Sequence, residues 1–174
     1  DTDRSRGLGD VYKRQLEKVL CLLLREGVPI RDMETILETL GDHAGALKDI
    51  DIVTEYVRQA LKRTITRRFA EANSLRVITV DPKVEDTIVA SVKKSEAGSY
   101  LAMDPDLIQK IVNITSGEID KVKDVIPNII ILTSPIVRIY FKKLIDQFIP
   151  NITVLSYSEI DNTAQIQAIG NIAM

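Results

Sequence analysis

An α+β fold follows from a change of hydrophobic period near residue 74. Before it, apolar residues recur at three- and four-residue spacing. After it, short apolar runs of strand length alternate with amphipathic segments that open on proline. The pattern predicts an all-helical N-terminal subdomain over residues 16–73. A small α/β subdomain follows over residues 74–174, with a mixed, largely parallel sheet.

Leu16, Val19, Leu20, Leu23 and Leu24 form the inward face of a first helix, which Gly27 and Pro29 stop. In the second helix Ile30, Met33, Ile36, Leu37 and Leu40 form the inward stripe, while Glu34, Glu38 and Asp42 share another face at four-residue steps. Evenly spaced like charges on one helix face are read as solvated, because paired catalytic carboxylates need burial or a neighbour that separates their pKa values. Asp42–Asp49 reads as a turn. One long helix is expected next, with Ile50, Val53, Tyr56, Val57, Ala60, Leu61, Ile65 and Phe69 inward. Arg58, Lys62, Arg63, Arg67 and Arg68 crowd its C-terminal half, where cations complement the helix dipole.

Leu75–Val80 reads as a buried strand. Asp81-Pro82, Asp104-Pro105 and Ser134-Pro135 each open a helix by one device: the Asp or Ser side chain caps free N–H groups, and proline takes the first helical position. Asn128–Thr133, apolar on both faces, suits the middle of a helix-covered sheet. Ile152–Tyr157 is the strand after the third of these helices, and the alternating Ala164–Gly170 reads as an edge strand.

The first fifteen residues stand apart. "DTDRSRGLGDVYKRQ" has neither helical nor strand periodicity, and its end, "DVYKRQ", resembles the translation of a sequencing-library transposon adapter. The preferred reading is a truncated frame with a genuine start near Leu16, the alternative a disordered natural tail; in either case residues 1–15 are expected to lie outside the fold.

Composition narrows the function. The 174 residues are 45% hydrophobic and 28% charged, with a net charge of -2 from 23 basic and 25 acidic residues, which favours neither nucleic acid nor anionic lipid. The basic residues of the third helix lack an aromatic stacking platform beside them. No run reaches the roughly 18–20 apolar residues of a membrane helix; Val125–Phe141 is broken by Pro127, Asn128, Pro135 and Arg138. A single cysteine, Cys21, excludes an internal disulfide, and with one histidine, His43, no ordinary metal cluster can be built. Cys21, among leucines, is expected to fill core; His43, at a helix end, to face solvent or cap. Neither GxGxxG nor GxxxxGK[ST] is present, and no cofactor is expected. Thr133 and Ser134 lie where a central strand meets a helix N-terminus, a position that can hold anions; the preferred reading is that Ser134 caps its own helix. A rival reading of the whole chain is a small α/β enzyme or ligand-binding domain, with its site at the strand C-termini around Asp81 and Thr133 to Pro135.

Several segments, in order, carry a family resemblance: "LLREGVPIRDMETILETLGD" (Leu23–Asp42), "VTEYVRQALKRTI" (Val53–Ile65), "LRVITVDP" (Leu75–Pro82), "YLAMDPDL" (Tyr100–Leu107), "LTSPIVRIYFKKLI" (Leu132–Ile145) and "IPNITVLSYSEI" (Ile149–Ile160). Together they resemble the C-terminal cytoplasmic region of the FlhA/InvA family, the export-gate proteins of flagellar and virulence type III secretion, and sit closer to the flagellar branch. The join "SGEIDKVKDVIPN" departs from common members. The resemblance implies a fragment holding the last two cytoplasmic subdomains of an integral membrane parent, placed at the cytoplasmic face of the bacterial inner membrane. It implies a homo-oligomeric ring built by the helical subdomain, engagement of the export-ATPase stalk protein by the α/β subdomain, and chaperone–substrate docking mainly on upstream subdomains. It implies no enzyme activity. Arg25, Arg31, Asp32, Arg58 and Arg63 are the candidate ring contacts, since arginine makes bidentate pairs with a neighbour's carboxylates; for each, an intrachain salt bridge is the alternative.

Overall fold

The computed structural model describes residues 2–43 and 45–174, with side chains from Arg6 onward except Leu8 and Ala44. Four helices come first: α1 (Thr2–Arg25), α2 (Met33–His43), α3 (Ile50–Ala60) and α4 (Lys62–Phe69). Then follow β1 (Ser74–Val80), α5 (Pro82–Ala90), the hairpin β2 (Val92–Ser95) and β3 (Gly98–Leu101), α6 (Pro105–Val122), β4 (Ile130–Thr133), α7 (Pro135–Asp146), β5 (Thr153–Ser156), a 3-10 turn (Tyr157–Glu159) and β6 (Gln165–Ile172).

The main sheet is wholly parallel, in the order β5-β4-β1-β6; antiparallel pairing is confined to the separate β2–β3 hairpin. This places β4, buried at all four positions, inside the sheet and β6 at its edge, as their apolar and alternating patterns require. Alternation along the strands then sorts two cores. Leu75, Val77, Ile130, Leu132 and Leu155 point to the face covered by α1–α4, where they meet Val19, Leu23, Ile36, Val57 and Ile65. Ile78, Val80, Ile131 and Val154 point the other way, onto Val84, Ile111, Phe141 and Ile145 of α5, α6 and α7. The expected subdomain boundary at 73/74 falls in the tight loop between α4 and β1, where Ala72 and Asn73 have positive φ, and the first core draws residues from both sides of it.

Local chemistry explains the ends of the elements. α1 stops at Gly27, whose φ of +72° suits glycine; the Gly27 and Val28 N–H groups donate back to the Leu24 and Leu23 carbonyls. Asp81 and Asp104 cap α5 and α6 by accepting from the Lys83 and Asp106 N–H groups at 2.9 and 2.8 Å.

Several expectations are corrected. Residues 2–15 are helical and continuous with the rest of α1, although the described side chains from Arg6 to Arg14 are exposed and core packing starts at Leu16. The inward stripe of α1 is narrower than read: Leu24 is exposed, and so is Cys21, which lies two residues from Val19 and thus on the far side of the helix. Leu37 and Tyr56 are also exposed, and His43 stacks on the Tyr56 ring with centroids 4.3 Å apart. The long helix breaks at Leu61, whose N–H is shared between the Val57 and Arg58 carbonyls. The "SGEIDKVKDVIPN" join is helical as far as Val122.

The third expected cap also differs. The Ser134 side chain makes no cap bond; instead the Ser134 N–H donates to Glu85 Oε1 of α5 at 3.0 Å. Glu85→Ala should therefore cost about 1 kcal/mol, a melting-point drop of about 3 °C, while Ser134→Ala leaves thermal denaturation almost unchanged.

Candidate functional site

The charged residues that the fold brings together lie between the helical layer and the sheet. Glu26 follows the last turn of α1, Glu55 and Arg58 are on α3, Arg138 is on α7 and Glu159 ends the 3-10 turn. Arg58, Arg138 and Glu159 are essentially inaccessible, Glu55 is nearly so and Glu26 is partly buried.

Arg138 is the hub. Its Nη1 and Nη2 donate to the two Glu26 oxygens at 2.8 and 3.1 Å, its Nε donates to Glu55 Oε2 at 2.8 Å, and Nη2 also reaches Glu55 Oε1. Nη1 further donates to the Val154 carbonyl of β5 at 3.0 Å. Arg58 is the second cation: its Nε donates to Glu159 Oε1, while its Nη1 stands 3.7 Å from Glu26 Oε2. Glu159 Oε2 accepts the Ser156 N–H at 2.8 Å. Two guanidinium groups thus face three carboxylates, one negative charge in excess when all are ionised.

That excess divides the carboxylates. Burial pushes Glu26 up, but the Arg138 and Arg58 charges outweigh it and hold the carboxyl below the ordinary value of 4.5. For Glu55 burial wins over the Arg138 bonds, with repulsion from Glu159 adding to it, and the carboxyl is held above 4.5. Burial works against the Arg138 cation, but Glu55, Glu159 and Glu26 overcome it and raise its pKa further. The arrangement stores and balances charge. No group of His, Cys, Asp and Glu that could hold a metal ion occurs among the described residues.

The five sequence-predicted contact residues part company here. Arg58 lies inside the molecule, because α3 turns that side of its C-terminal half toward the sheet. Arg25, Arg31, Asp32 and Arg63 are exposed. Asp32 accepts the Thr35 N–H and hydroxyl at the start of α2, and Arg63 is 4.0 Å from Asp161. Glu34, Glu38 and Asp42 are exposed. At the rival site Asp81 is spent on its cap, the Thr133 hydroxyl donates to the Ser134 carbonyl, and Glu85 occupies the α7 N-terminus that an anion would need. Sequence reading missed Arg138, Glu26, Glu55 and Glu159. The available signal was Arg138 itself, three residues before Phe141 and seven before Ile145, a charge on the inward face of an otherwise apolar helix.

Removing the hub strands two buried carboxylates. Arg138→Leu should cost about 3–5 kcal/mol and lower the melting temperature by on the order of 10 °C. Glu55→Gln removes the excess charge and should be much milder. In the unfolded chain both carboxyls titrate near 4.5. Glu26, held below that, contributes stability that is present above pH 4.5 and lost as pH falls through its lowered value. Glu55 does the reverse: stability falls as pH rises from 4.5 through its raised value. Melting curves of Glu55→Gln and wild type should therefore favour the variant more at pH 8 than at pH 5.

The FHIPEP family model matches residues 9–165. The flagellar biosynthesis protein FlhA of Bacillus subtilis (strain 168) is 40% identical over 156 residues, which is 89% of this chain and 23% of that protein. The chain therefore spans about a quarter of the length of the curated relatives it matches. Among solved structures, the Chlamydia pneumoniae CdsV protein in complex with CdsO matches with a TM-score of 0.81 at 33% identity, over 99% of this chain and 53% of that one. The nonameric EscV cytosolic domain from the type III secretion system matches with a TM-score of 0.70 at 28% identity, over 100% of this chain and 56% of that one. Matched over nearly its whole length, with its helical layer and parallel sheet intact, the chain belongs to the FHIPEP family.

Proposed function

We propose that this chain is the terminal part of the cytoplasmic region of a protein-export gate, of the flagellar type, and that it works by presenting surfaces without making or breaking a bond. Copies associate side by side through the helical layer into a ring beneath the membrane channel. The α/β part engages the stalk protein of the export ATPase, and chaperone–substrate complexes dock mainly on other subdomains. The parent is an integral membrane protein whose cytoplasmic part includes this segment; no helix among the described residues is long and apolar enough to cross a membrane.

The observation that carries this reading is the correspondence, over the full chain, with a domain solved as a nonamer. The CdsV–CdsO complex supports a partner from the export apparatus. The buried cluster fits the role, since it fixes the helical layer to the sheet and lets a ring contact on one be felt by the other. Within the proposed interface Arg63 is the contact to test: its side chain is 83% exposed and only loosely paired with Asp161. Arg58 cannot serve that purpose, because reversing its charge would break the cluster first.

In the complete export-gate protein carrying this segment, Arg63→Glu should shift sedimentation from ring to monomer while the circular dichroism spectrum and melting point stay unchanged. A ring of undiminished stability would exclude Arg63 from the contact.

A further inference from the structure

A cavity of about 300 Å³ opens at the N-terminal edge of the sheet, where β1, β4 and β5 begin. This is the edge opposite the one where open α/β sheets usually place ligands. Arg25, Arg68, Lys142, Asn128 and Asn151 are among its lining residues, and the buried Arg58 forms its floor.

The floor is unfinished in a specific way. Arg58 Nη1 is buried and has no hydrogen-bond partner. The reason lies in the bookkeeping of the cluster behind it. Both Glu26 oxygens are taken by Arg138, Glu159 Oε1 is held by Arg58 Nε, and Glu159 Oε2 by the Ser156 N–H. Each of these oxygens already accepts a bond, and Glu26 Oε2, 3.7 Å from Arg58 Nη1, is an ion-pair neighbour beyond hydrogen-bond reach, so that end of the Arg58 fork is left without a hydrogen bond inside the protein. A buried donor in that condition calls for an oxygen from outside.

The walls select which oxygen. Arg25, Arg58, Arg68 and Lys142 oppose two carboxylates, Glu26 and Glu71. Glu26 is committed to Arg138, and Glu71 turns toward Arg76 at 3.7 Å. Lys142 Nζ donates to the Ile152 carbonyl at 2.8 Å and pairs with Asp146 at 2.8 Å, leaving one of its three donors free. Arg68 lies 5.4 Å above the Phe69 ring centroid. The lining thus holds four basic groups against two acidic ones around a guanidinium N–H that lacks a hydrogen bond, with the one-carboxylate excess of the cluster lying behind Arg58.

We propose that this cavity is a binding site for an oxyanion, a carboxylate or a phosphate. Arg58 Nη1 receives it at the floor, and Arg25, Arg68 and Lys142 surround it. The site is independent of ring formation, since it is complete within one chain.

The test is a titration of the 15N-labelled chain with sodium phosphate and, separately, sodium succinate, each against sodium chloride at equal ionic strength. The Arg58 Nε–Hε resonance and the melting temperature are followed. Saturable movement of that resonance with a rise in melting temperature is expected. A response to phosphate alone assigns a phosphate ligand; a response to succinate assigns a carboxylate such as a partner's acidic side chain. The Arg25→Ala/Arg68→Ala double variant alters only exposed side chains and should keep its fold while binding about ten-fold more weakly or worse. The proposal is overturned if neither anion does more than chloride, or if the double variant binds as tightly as the wild type.

Discussion

Arg138 reaches four separate parts of the chain from one buried position: the end of α1 through Glu26, α3 through Glu55, β5 through the Val154 carbonyl, and the 3-10 turn by its 3.8 Å approach to Glu159. Nothing apolar could replace it without leaving carboxylates unpaired. Buried ion clusters give little net stability, because desolvation offsets most of the attraction. What they supply here is position. The aliphatic residues of the two cores, each worth roughly 1.5–3 kcal/mol on burial, hold helices against a sheet at many nearly equivalent settings; the directional bonds of two guanidinium groups select one.

That selection matters for a protein whose proposed task is to assemble. A ring built through a helical layer and a partner site on an α/β part must keep a constant relation between the two. Other links share the work: the Asp49 carboxylate caps α3 and accepts the Ser99 N–H of the β2–β3 hairpin, Lys143 of α7 pairs with Asp51 of α3 at 2.6 Å, and the Asp161 N–H donates to the Thr66 hydroxyl of α4. Each joins a residue before position 74 to one after it. The positively charged cavity sits beside this seam, so an anion bound there would touch residues from both sides.

Much of the architecture could be read from local pattern. β1 and β4 declared themselves as short apolar runs, β6 as an alternating edge, and α5 and α6 by an aspartate before a proline. These features depend on residues within one turn of each other. The features that escaped depend on distance. In sequence Arg58 belongs to one basic run with Lys62, Arg63, Arg67 and Arg68, all four of which the structure leaves exposed; its partner Glu159 lies 101 positions away. The cap of α7 comes from Glu85, 49 positions earlier. The break at Leu61 carries no proline or glycine to announce it, and the β2–β3 hairpin is short and largely exposed, with little hydrophobic period to see.

If the buried charge cluster ties the helical layer to the sheet, the two behave as one cooperative unit. Native-state amide hydrogen exchange measures this directly. The slowest amides of α3, at Val57 and Arg58, and those of β4, at Ile131 and Leu132, should open with the same free energy and the same denaturant dependence. If α3 exchanges at a much lower opening free energy than β4, the two parts unfold separately and the cluster does not hold them together.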